Sequence, residues 1–323
     1  MKRNRALILG GAGFLGSHVA QTFIDAQWQV GVIDGLVPGT GGTPENLANC
    51  RGDLHSVVLK RIEETENLTE HILWANIIVD AIAFTGHLIG FQDPLMDTSC
   101  NLLSHLHLVQ ALRKSSGKRV IYLGSRGQYG AASGAHIIEE TPCKPLDPQG
   151  INKLAAEHFL RIYGQANQYE TVSLRLTNCF GPRQRINGER GLVGSFIHSV
   201  LQDKPIEIFG SPGRRKNVLY AEDVAKIVLQ LASKEWKGFQ IFNVGGEEVS
   251  LRELLEAILE AVGKGGFTVK PFPEEVKKID VGEANFSDEK LNSFLGSRQR
   301  TPIREAIPLT VQYFKENRGK ERP

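Results

Sequence analysis

The 323-residue sequence predicts an α/β protein with a doubly wound parallel sheet and a smaller α/β lobe at the C-terminal end. Short apolar runs alternate with amphipathic stretches through the first half of the chain, which is the pattern of a parallel sheet covered by helices on both faces. A glycine-rich turn joins the first apolar run to the first amphipathic stretch. The alternation changes after Gly181 and Pro182, where we expect the second lobe to begin.

Six apolar runs of the first half have the length and composition of buried strands: residues 6–9, 29–33, 57–59, 77–82, 119–123 and 171–176. Amphipathic stretches between most of them predict helices: residues 15–26, 67–74, 99–115 and 152–167. Because helices separate most successive strands, the sheet is expected to be parallel.

In the second half, residues 192–202 predict a helix and residues 206–209 predict a strand. Residues 218–231 and 239–244 are expected to return to the first lobe. We therefore divide the chain into a first lobe of residues 1–181, to which 214–246 return, and a second lobe of residues 182–213 and 247–323.

Composition and charge exclude several classes of function. The formal net charge of +2 gives no reason to expect a nucleic-acid partner. No apolar stretch approaches the roughly 20 residues of a membrane-spanning helix, so we expect no membrane partner. The four cysteines, Cys50, Cys100, Cys143 and Cys179, are scattered without the spacing of a zinc site. We therefore expect no metal, reduced thiols and a cytoplasmic location.

Residues 10–16, Gly-Gly-Ala-Gly-Phe-Leu-Gly, follow the first strand and open the first helix. Glycines permit a tight turn and allow backbone N–H groups to approach a pyrophosphate at the helix N-terminus, where the dipole favours an anion. Asp34 ends the next strand, about 20 residues further on, as expected for a carboxylate that holds a ribose hydroxyl. The same carboxylate would repel the 2′-phosphate of NADP. The first lobe is therefore predicted to be a Rossmann-type domain that binds NAD.

Further motifs follow in order along nearly the whole chain: residues 80–83 (Asp-Ala-Ile-Ala), 93–94 (Asp-Pro) with Asn101, 122–130 (Tyr-Leu-Gly-Ser-Arg-Gly-Gln-Tyr-Gly), 153–157 (Lys-Leu-Ala-Ala-Glu), 175–184 (Arg-Leu-Thr-Asn-Cys-Phe-Gly-Pro-Arg-Gln), 217–225, 243–245 and 295–296. Together with the glycine turn they resemble the extended short-chain dehydrogenase/reductase family, which contains NAD-dependent nucleotide-sugar epimerases and dehydratases. The resemblance implies NAD as a tightly held cofactor, a nucleotide-diphosphate sugar as substrate, and a second lobe that binds this substrate. It also implies a homodimer that packs the helices of residues 101–112 and 154–162 against their copies.

By position in the family motifs, the resemblance implies two sets of binding residues. Those that contact NAD are Gly10, Gly13, Phe14, Leu15, Gly16, Asp34, Gly35, Ile62, Ala81, Ile82, Ala83, Lys153 and Thr177. Those that contact the substrate are Thr85, His87, Ser125, Arg126, Asn178, Leu192, Val193, Arg215 and Lys216. The family's diphosphate-binding arginine falls on Lys216, whose ammonium lacks the bidentate fork of a guanidinium. Arg215 is therefore an alternative ligand of the diphosphate.

The catalytic residues that the resemblance implies are Ser125, Lys153 and a tyrosine four positions before the lysine, where this chain has Gln149. Glutamine forms hydrogen bonds but exchanges no proton near neutral pH, so it cannot be the general base. The alternative bases are Lys153, His87 in the loop after the fourth strand, and Cys143. Two other interpretations stay open: the protein binds NAD and a nucleotide sugar without converting it, or the glutamine is an engineered replacement that traps substrate.

The leading interpretation of the function is an NAD-dependent epimerase of a nucleotide-diphosphate sugar, acting by transient oxidation of a ring carbon. Ser125 would then hydrogen-bond the reacting oxygen, Lys153 would orient the ribose, and Gln149 would position the sugar. Removal of water across C4 and C6 is disfavoured, because Arg126 and Gly127 stand where such dehydratases of the family have Asp-Glu. The alternatives are a non-catalytic homologue that binds the same ligands, and a reductase or another kind of dehydratase.

Overall fold

A seven-stranded parallel sheet organises the chain in the computed structural model, which describes residues 4–131, 136–186, 191–274, 282–283 and 285–317, with only the backbone at residue 87. The strands are β1 (Arg5–Leu9), β2 (Gln29–Ile33), β3 (Ser56–Val58), β4 (Ile77–Asp80), β5 (Arg119–Ser125), β6 (His136–Ile137), β7 (Glu170–Leu176), β8 (Asn178–Phe180), β9 (Ile206–Phe209), β10 (Arg215–Tyr220), β11 (Phe239–Val244), β12 (Glu247–Ser250), β13 (Phe267–Lys270) and β14 (Asn285–Phe286). The helices are α1 (Phe14–Asp25), α2 (Leu68–Trp74), α3 (His87–Gln92), α4 (Pro94–Thr98), α5 (Ser104–Leu112), α6 (Pro148–Asn167), α7 (Leu192–Leu201), α8 (Ala221–Ala232), α9 (Leu251–Val262), α10 (Glu289–Leu295) and α11 (Ile303–Glu316).

The central sheet has the order β11-β7-β5-β4-β1-β2-β3, and every neighbouring pair of strands is parallel. The chain adds β2 and β3 on one side of β1, and then β4, β5, β7 and β11 on the other side. The predicted doubly wound α/β fold is confirmed, and all six predicted strands are present. The direction of winding reverses between β1 and β4, and sheets of this kind bind ligands at the carboxyl ends of the strands at this point.

Helices cover both faces of the sheet and bury its apolar side chains. On one face α1 and α8 pack together and bury Phe23 and Val228 against the strands. On the other face α2, α5 and α6 form a second layer, in which Leu108 and Leu160 are fully buried. Strands buried on both faces consist of nearly continuous apolar runs, which explains why they were recognisable. None of the helices in the described ranges is long and apolar enough to cross a membrane.

A separate core lies among α7, α9, α11 and the short strands of the C-terminal half. There β10 pairs in parallel with β8 and antiparallel with β12, while β9 pairs with β13. β11 joins the central sheet beside β7 and α8 packs on α1, whereas β10 belongs to the separate three-stranded sheet. The lobe boundaries drawn from the sequence remain a prediction.

Three predicted segments differ in detail from the structure. The helix expected over residues 99–115 begins with a π-helical turn, Ser99–Leu103, and its α-helical part ends at Leu112. The helix expected over 152–167 begins earlier, at Pro148, because Asp147 Oδ1 accepts a hydrogen bond from Gly150 N at 2.8 Å and caps it. Proline is favoured in a first helical turn. His87 begins α3, so its prediction as a loop residue was wrong.

Candidate active site

A cleft of about 740 Å³ lies at the carboxyl ends of β1, β4 and β5. Its walls are the glycine turn, the N-terminal half of α6, and residues of β9, β10 and α7 from the separate core. The cleft therefore lies at the reversal of winding, where open parallel sheets bind their ligands. Within the described residues, no group of three or more His, Cys, Asp or Glu side chains is placed to hold a metal ion.

The glycine turn has no side chains where backbone segments meet. Gly10 has a left-handed φ of 70°, and a Cβ there would lie 2.9 Å from the carbonyl carbon of Ala81. A Cβ at Gly16 would run into the carbonyl oxygen of Gly10, so this glycine lets α1 approach β1 closely. α1 begins at Phe14 without a capping side chain. Its first N–H groups are therefore available to an anion such as a pyrophosphate.

Asp34 ties the end of β2 to the glycine turn. Its Oδ2 accepts a hydrogen bond from Ala12 N at 2.9 Å, and its Oδ1 accepts one from Leu36 N at 2.8 Å. Burial raises the pKa of this carboxyl, and the backbone N–H donors oppose the rise. A carboxylate has about four lone-pair positions. Asp34, which lines the cleft, therefore retains acceptor capacity for the hydroxyls of a ribose.

Asn101 fixes the segment that joins β4 to α3. Its Oδ1 accepts a hydrogen bond from Phe84 N at 2.9 Å, and its Nδ2 donates one to Phe84 O at 2.8 Å. This clamp anchors the preceding residues, of which Ala81, Ile82 and Ala83 line the cleft. Asn101 belongs to a family motif in the sequence, and the clamp gives it a physical role.

Ser125 ends β5 and lines the cleft, and the turn that follows fixes its backbone. Ser125 Oγ accepts a hydrogen bond from Gly127 N at 3.1 Å, while Gln128 Oε1 accepts one from Ser125 N at 2.8 Å. Gln128 in turn donates to Glu157 at 2.9 Å, and Glu157 forms a buried ion pair with Arg175 at 2.6 Å. Because Ser125 Oγ acts as an acceptor in the turn, its hydroxyl proton is available to a ligand oxygen.

Lys153 lies on α6, with its ammonium group between the ends of β4 and β5. Its Nζ donates hydrogen bonds to Ile82 O at 3.0 Å and to Leu123 O at 3.1 Å. The residue is only 2% exposed. Burial lowers its pKa to about 8, although the buried carboxylates of Asp80 and Asp97 act in the opposite direction. Lys153 is thus a lysine at the wall of the cleft that gives up its proton more readily than an ordinary lysine.

Gln149 lies one helical turn before Lys153, so both side chains are on one face of α6, and both line the cleft. Gly150 allows this turn to pack against the turn after β5, since a Cβ there would lie 2.7 Å from Gly127 O. Within the described part of the chain, the Gln149 amide makes no hydrogen bond to the protein. Its donors and its acceptor are therefore available to a ligand.

Three consecutive basic residues, Arg214, Arg215 and Lys216, lie at the start of β10, and only two of them face the cleft. Arg214 and Lys216 line the cleft, and the Arg214 guanidinium lies 4.7 Å from the centre of the Phe272 ring. Arg215 has the opposite orientation, because side chains alternate along a strand. Its side chain is 51% exposed and pairs with Glu248 at 2.5 Å. The structure thus places Arg215 outside the cleft, contrary to its expected role at the diphosphate.

Most of the residues expected to bind NAD or substrate line the cleft: Gly10, Gly13, Phe14, Leu15, Asp34, Gly35, Ile62, Ala81, Ile82, Ala83, Thr85, Ser125, Arg126, Gln149, Lys153, Thr177, Asn178, Leu192 and Lys216. Three do not. Gly16 packs α1 against β1, Val193 is buried in the separate core, and Arg215 faces outward. His87 has its backbone between cleft-lining residues, but its side chain lies outside the described residues.

Cys143, one of the alternative bases, packs against Tyr129, Ile137 and Phe286. It does not line the cleft, and burial raises the pKa of its thiol. Both observations argue against Cys143 as the base.

Several cleft residues were not foreseen from the sequence: Arg61, Glu63, Gln184, Arg185, Phe209, Arg214 and Phe272. The period of two along β10 contained a signal for Arg214, because Arg214 and Lys216 are two positions apart and share a face. Arg61 and Phe272 reach the cleft from irregular segments, for which periodicity carries no information.

The model of the NAD dependent epimerase/dehydratase family matches residues 6–245. The chain belongs to this family. Its cofactor is NAD, for which the glycine turn, Asp34 and Lys153 provide a suitable cleft.

Individual relatives cover nearly the whole chain. A putative UDP-glucose 4-epimerase of Methanocaldococcus jannaschii is 28% identical over 96% of this chain and 98% of its own length. The UDP-glucose 4-epimerase of Thermus thermophilus, solved with NAD, is 31% identical with a TM-score of 0.81 over 96% of this chain and 99% of that one. The UDP-glucose 4-epimerase of Thermotoga maritima, solved with UDP-glucose, is 27% identical with a TM-score of 0.84 over 97% and 99%.

Proposed function

We propose that the chain is an NAD-dependent epimerase of a nucleotide-diphosphate sugar, which inverts one ring carbon by transient oxidation. The observation that carries this proposal is the continuity of the cleft, which joins Asp34 and the glycine turn to Ser125 and Lys153, and these to Lys216. A dinucleotide on the glycine turn and a diphosphate on Lys216 would therefore meet at Ser125. The two UDP-glucose 4-epimerases at 31% and 27% identity support the reaction and favour UDP as the nucleotide.

The residues around the cofactor would have separate tasks. Bound NAD would supply the hydride acceptor for the oxidation and, once reduced, the donor for the return step. Backbone N–H groups of the glycine turn would bind its pyrophosphate, and Asp34 would accept hydrogen bonds from a ribose. Ser125 would donate to the reacting sugar oxygen, while Gln149 would hold a sugar hydroxyl without exchanging a proton.

The opposite end of the cleft would hold the nucleotide diphosphate. Lys216 and Arg214 would neutralise its charge, because cationic donors form the stronger hydrogen bonds to phosphate oxygens. Asn178 lines the cleft beside them, and its Nδ2 donates to Asn217 O at 2.8 Å on β10. Thr85 and Arg126 would contact the sugar at the centre of the cleft.

A second candidate function is binding of NAD and a nucleotide sugar without conversion. The observation that favours it is Gln149, which occupies the position that the family resemblance assigns to the catalytic tyrosine. The two candidates share every ligand and differ only in turnover. A reductase or a dehydratase of another kind would differ again, because the product would not be a stereoisomer of the substrate.

The deciding experiment is incubation of the purified protein with UDP-, GDP-, CDP- and dTDP-sugars in D2O, followed by NMR and mass spectrometry. An epimerase yields a stereoisomer of the substrate. Transient oxidation leaves the inverted carbon with its original hydrogen, because the hydride returns without contact with solvent. Binding without conversion would establish the second candidate, and a product of altered mass would indicate a dehydratase or a reductase.

A homodimer is also proposed, from apolar side chains on the outer surface of the helical layer. Leu95, Leu103, Ile151 and Ile162 are 82%, 47%, 55% and 44% exposed. They lie on α4, the π-helical turn and α6. Clustered exposed apolar surface of this kind is typical of interfaces. Light scattering of the purified protein tests the proposal, since a dimer would have about twice the 35.6 kDa mass of one chain.

A cytoplasmic location is the third proposal. All four cysteines are free, and Cys50 and Cys100 are buried. Free thiols are typical of reducing compartments. Fractionation of cells that express the protein from its own gene provides the test.

A further inference from the structure

The oxidation requires a group that accepts the proton of the sugar hydroxyl, and the amide of Gln149 does not ionise near neutral pH. We propose that Nζ of Lys153 is this group, and that Lys153 is the general base and acid of the reaction. The proposal rests on the proposed function. It adds the residue that makes the oxidation possible without a tyrosine.

The step balances in atoms and electrons. The O–H bond of the sugar breaks and an N–H bond forms on the neutral amine of Lys153. Bound NAD would supply the acceptor for the hydride that leaves the same carbon with the electron pair of its C–H bond, and a C=O bond would form there. In the return step the ketone accepts the hydride on its other face, and the ammonium gives its proton back to the oxygen.

The geometry around Nζ suits a base. A neutral amine has two N–H groups and one lone pair, arranged tetrahedrally. The two carbonyl oxygens, Ile82 O at 3.0 Å and Leu123 O at 3.1 Å, match the two N–H groups. The lone pair of the amine then points in a third direction, away from both carbonyl oxygens. Ile82, Leu123 and Lys153 all line the cleft, so the ligand-filled space lies beside Nζ.

Charged and titratable groups face Lys153 from each element packed around it. Asp80 of β4 and Asp97 of α4 favour the ammonium form, but burial outweighs them and lowers the pKa to about 8. Asp80 is itself paired with His105 of α5 at 2.7 Å. Tyr122 of β5 lies below Nζ, 5.0 Å from its ring centre, and burial raises its pKa well above the usual value. Tyr122 therefore stays neutral.

Other described residues of the cleft do not offer the same chemistry. Arg126 beside Ser125 keeps its proton at any ordinary pH. Burial raises the pKa of Cys100 and raises that of Cys179 to about 12. Among the described residues that line the cleft there is no tyrosine. Three carboxylates also line the cleft, but each already has partners. Glu63 pairs with Arg61, and Glu207 pairs with Lys270. Asp34 accepts hydrogen bonds from two backbone N–H groups beside the glycine turn. His87 therefore remains as a competitor, and the experiment includes it.

Lys118 provides a matched control for the lysine chemistry. Its Nζ also donates to two backbone carbonyls, Leu73 O at 2.7 Å and Ala75 O at 2.6 Å, and burial lowers its pKa. It lies near the start of β5, at the opposite edge of the sheet from the cleft. Lys118→Arg should therefore leave turnover within about twofold, as expected for a change outside the site.

The experiment uses the full chain loaded with NAD. Lys153→Arg keeps a cation and N–H donors for the two carbonyls but cannot lose its proton. It should lower kcat by about 10²–10⁴-fold, the contribution of a general base, with NAD still bound in titration calorimetry. Alkylation of Lys153→Cys with 2-bromoethylamine restores a less basic amine. It should restore turnover and move the midpoint of the kcat/KM pH profile from about 8 to lower pH, with identically treated unsubstituted protein as control.

A readout independent of turnover is the titration of the Lys153 ε-methylene group by NMR, in protein labelled with ¹³C-lysine and assigned with Lys153→Arg. A midpoint near 8 supports the proposal, even if no nucleotide sugar is converted and the proposed function fails. A midpoint near that of an ordinary lysine, about 10.4, would overturn it. So would full turnover by Lys153→Arg, or a pH profile that His87→Asn abolishes while Lys153→Arg leaves it unchanged.

Discussion

The carboxylate of Asp34 accepts a hydrogen bond from the amide of Ala12 at 2.9 Å, and this contact joins the end of β2 to the glycine turn. The same carboxylate accepts from Leu36 N at 2.8 Å and lines the cleft. From this geometry we expect Asp34 to have two roles. It would hold the turn in the shape that a pyrophosphate requires, and it would place a negative charge near the 2′-position of an adenine ribose.

Asp34→Asn should affect each of these two roles in a way that can be measured. The amide retains one acceptor oxygen but places an NH2 group against one of two backbone N–H donors, so the turn loses a hydrogen bond. We expect NAD affinity to fall by about tenfold, the effect of one hydrogen bond of about 1.4 kcal/mol. The ratio of NADP to NAD affinity should rise, because the repelling charge is gone. Calorimetry with both dinucleotides measures this, and an unchanged ratio would show that Asp34 does not face the 2′-position.

The elements that can be predicted from the sequence are those whose residue pattern follows directly from their place in the fold. The six strands of the first half are continuous apolar runs because both faces of the sheet are covered. The glycine turn was recognisable because Gly10 and Gly16 stand where a Cβ would meet backbone. By contrast, α3 and α4 have 6 and 5 residues, which is too short for an amphipathic period to appear.

The site residues also divide into those whose position the sequence predicts and those whose position depends on tertiary structure. Asp34, Ser125 and Lys153 follow or face strands of the central sheet, so their order in the chain placed them together. The expectation that Arg215 binds the diphosphate rests only on its position next to Lys216 in the sequence. Alternation along β10 puts Arg214 and Lys216 on one face and Arg215 on the other. Which of these faces points into the cleft depends on how β10 packs between β8 and β12, which is a tertiary property.

Gly16→Ala should destabilise the fold. The new methyl group would meet the carbonyl oxygen of Gly10, and relief requires α1 to move away from β1. Overpacking of this kind costs about 1–3 kcal/mol. Urea unfolding measures the free energy of unfolding. Gly52→Ala is the control, since a Cβ there meets nothing within 4 Å and should change stability by less than about 0.5 kcal/mol. Equal stability of the two variants would contradict the close approach at Gly16.

Lys216→Ala and Arg215→Ala should differ although the residues are adjacent. Lys216 lines the cleft, and loss of a charged contact worth about 1.5–3 kcal/mol should weaken UDP binding by about 10–100-fold. Arg215 forms an exposed ion pair with Glu248, which contributes little, so its removal should change binding by less than about twofold. Calorimetry with UDP provides both values. A larger loss of UDP affinity in Arg215→Ala than in Lys216→Ala would identify Arg215 as the ligand of the diphosphate.

His18 should make stability depend on pH. Its Nε2 donates to Pro182 O at 2.9 Å, and burial lowers its pKa from 6.5 to about 4. Between these two pH values His18 is protonated in the unfolded chain but neutral in the folded chain. The free energy of unfolding should therefore fall by up to about 3 kcal/mol as the pH drops from about 6.5 to about 4. His18→Gln keeps a donor without titrating, so its stability should fall less over this range. If the free energy of unfolding of the two proteins fell equally with pH, His18 would be excluded as the cause.

Gln149→Tyr is the change that tests most directly how the site has departed from the family pattern. A tyrosine there would lie one turn before Lys153 on the same face of α6, next to a cation that lowers its pKa. If the rest of the site is that of an epimerase, kcat should rise. The gain should reach at most the lower end of the roughly 10²–10⁴-fold that a general base contributes, because Lys153 already acts as a base. The pH profile should then cease to follow Lys153. Gln149→Phe fills the same space without a hydroxyl and should show no gain, which separates proton transfer from packing. Equal activity of the tyrosine variant and the unsubstituted protein, with UDP and NAD still bound, would mean that the site has been rebuilt around the glutamine.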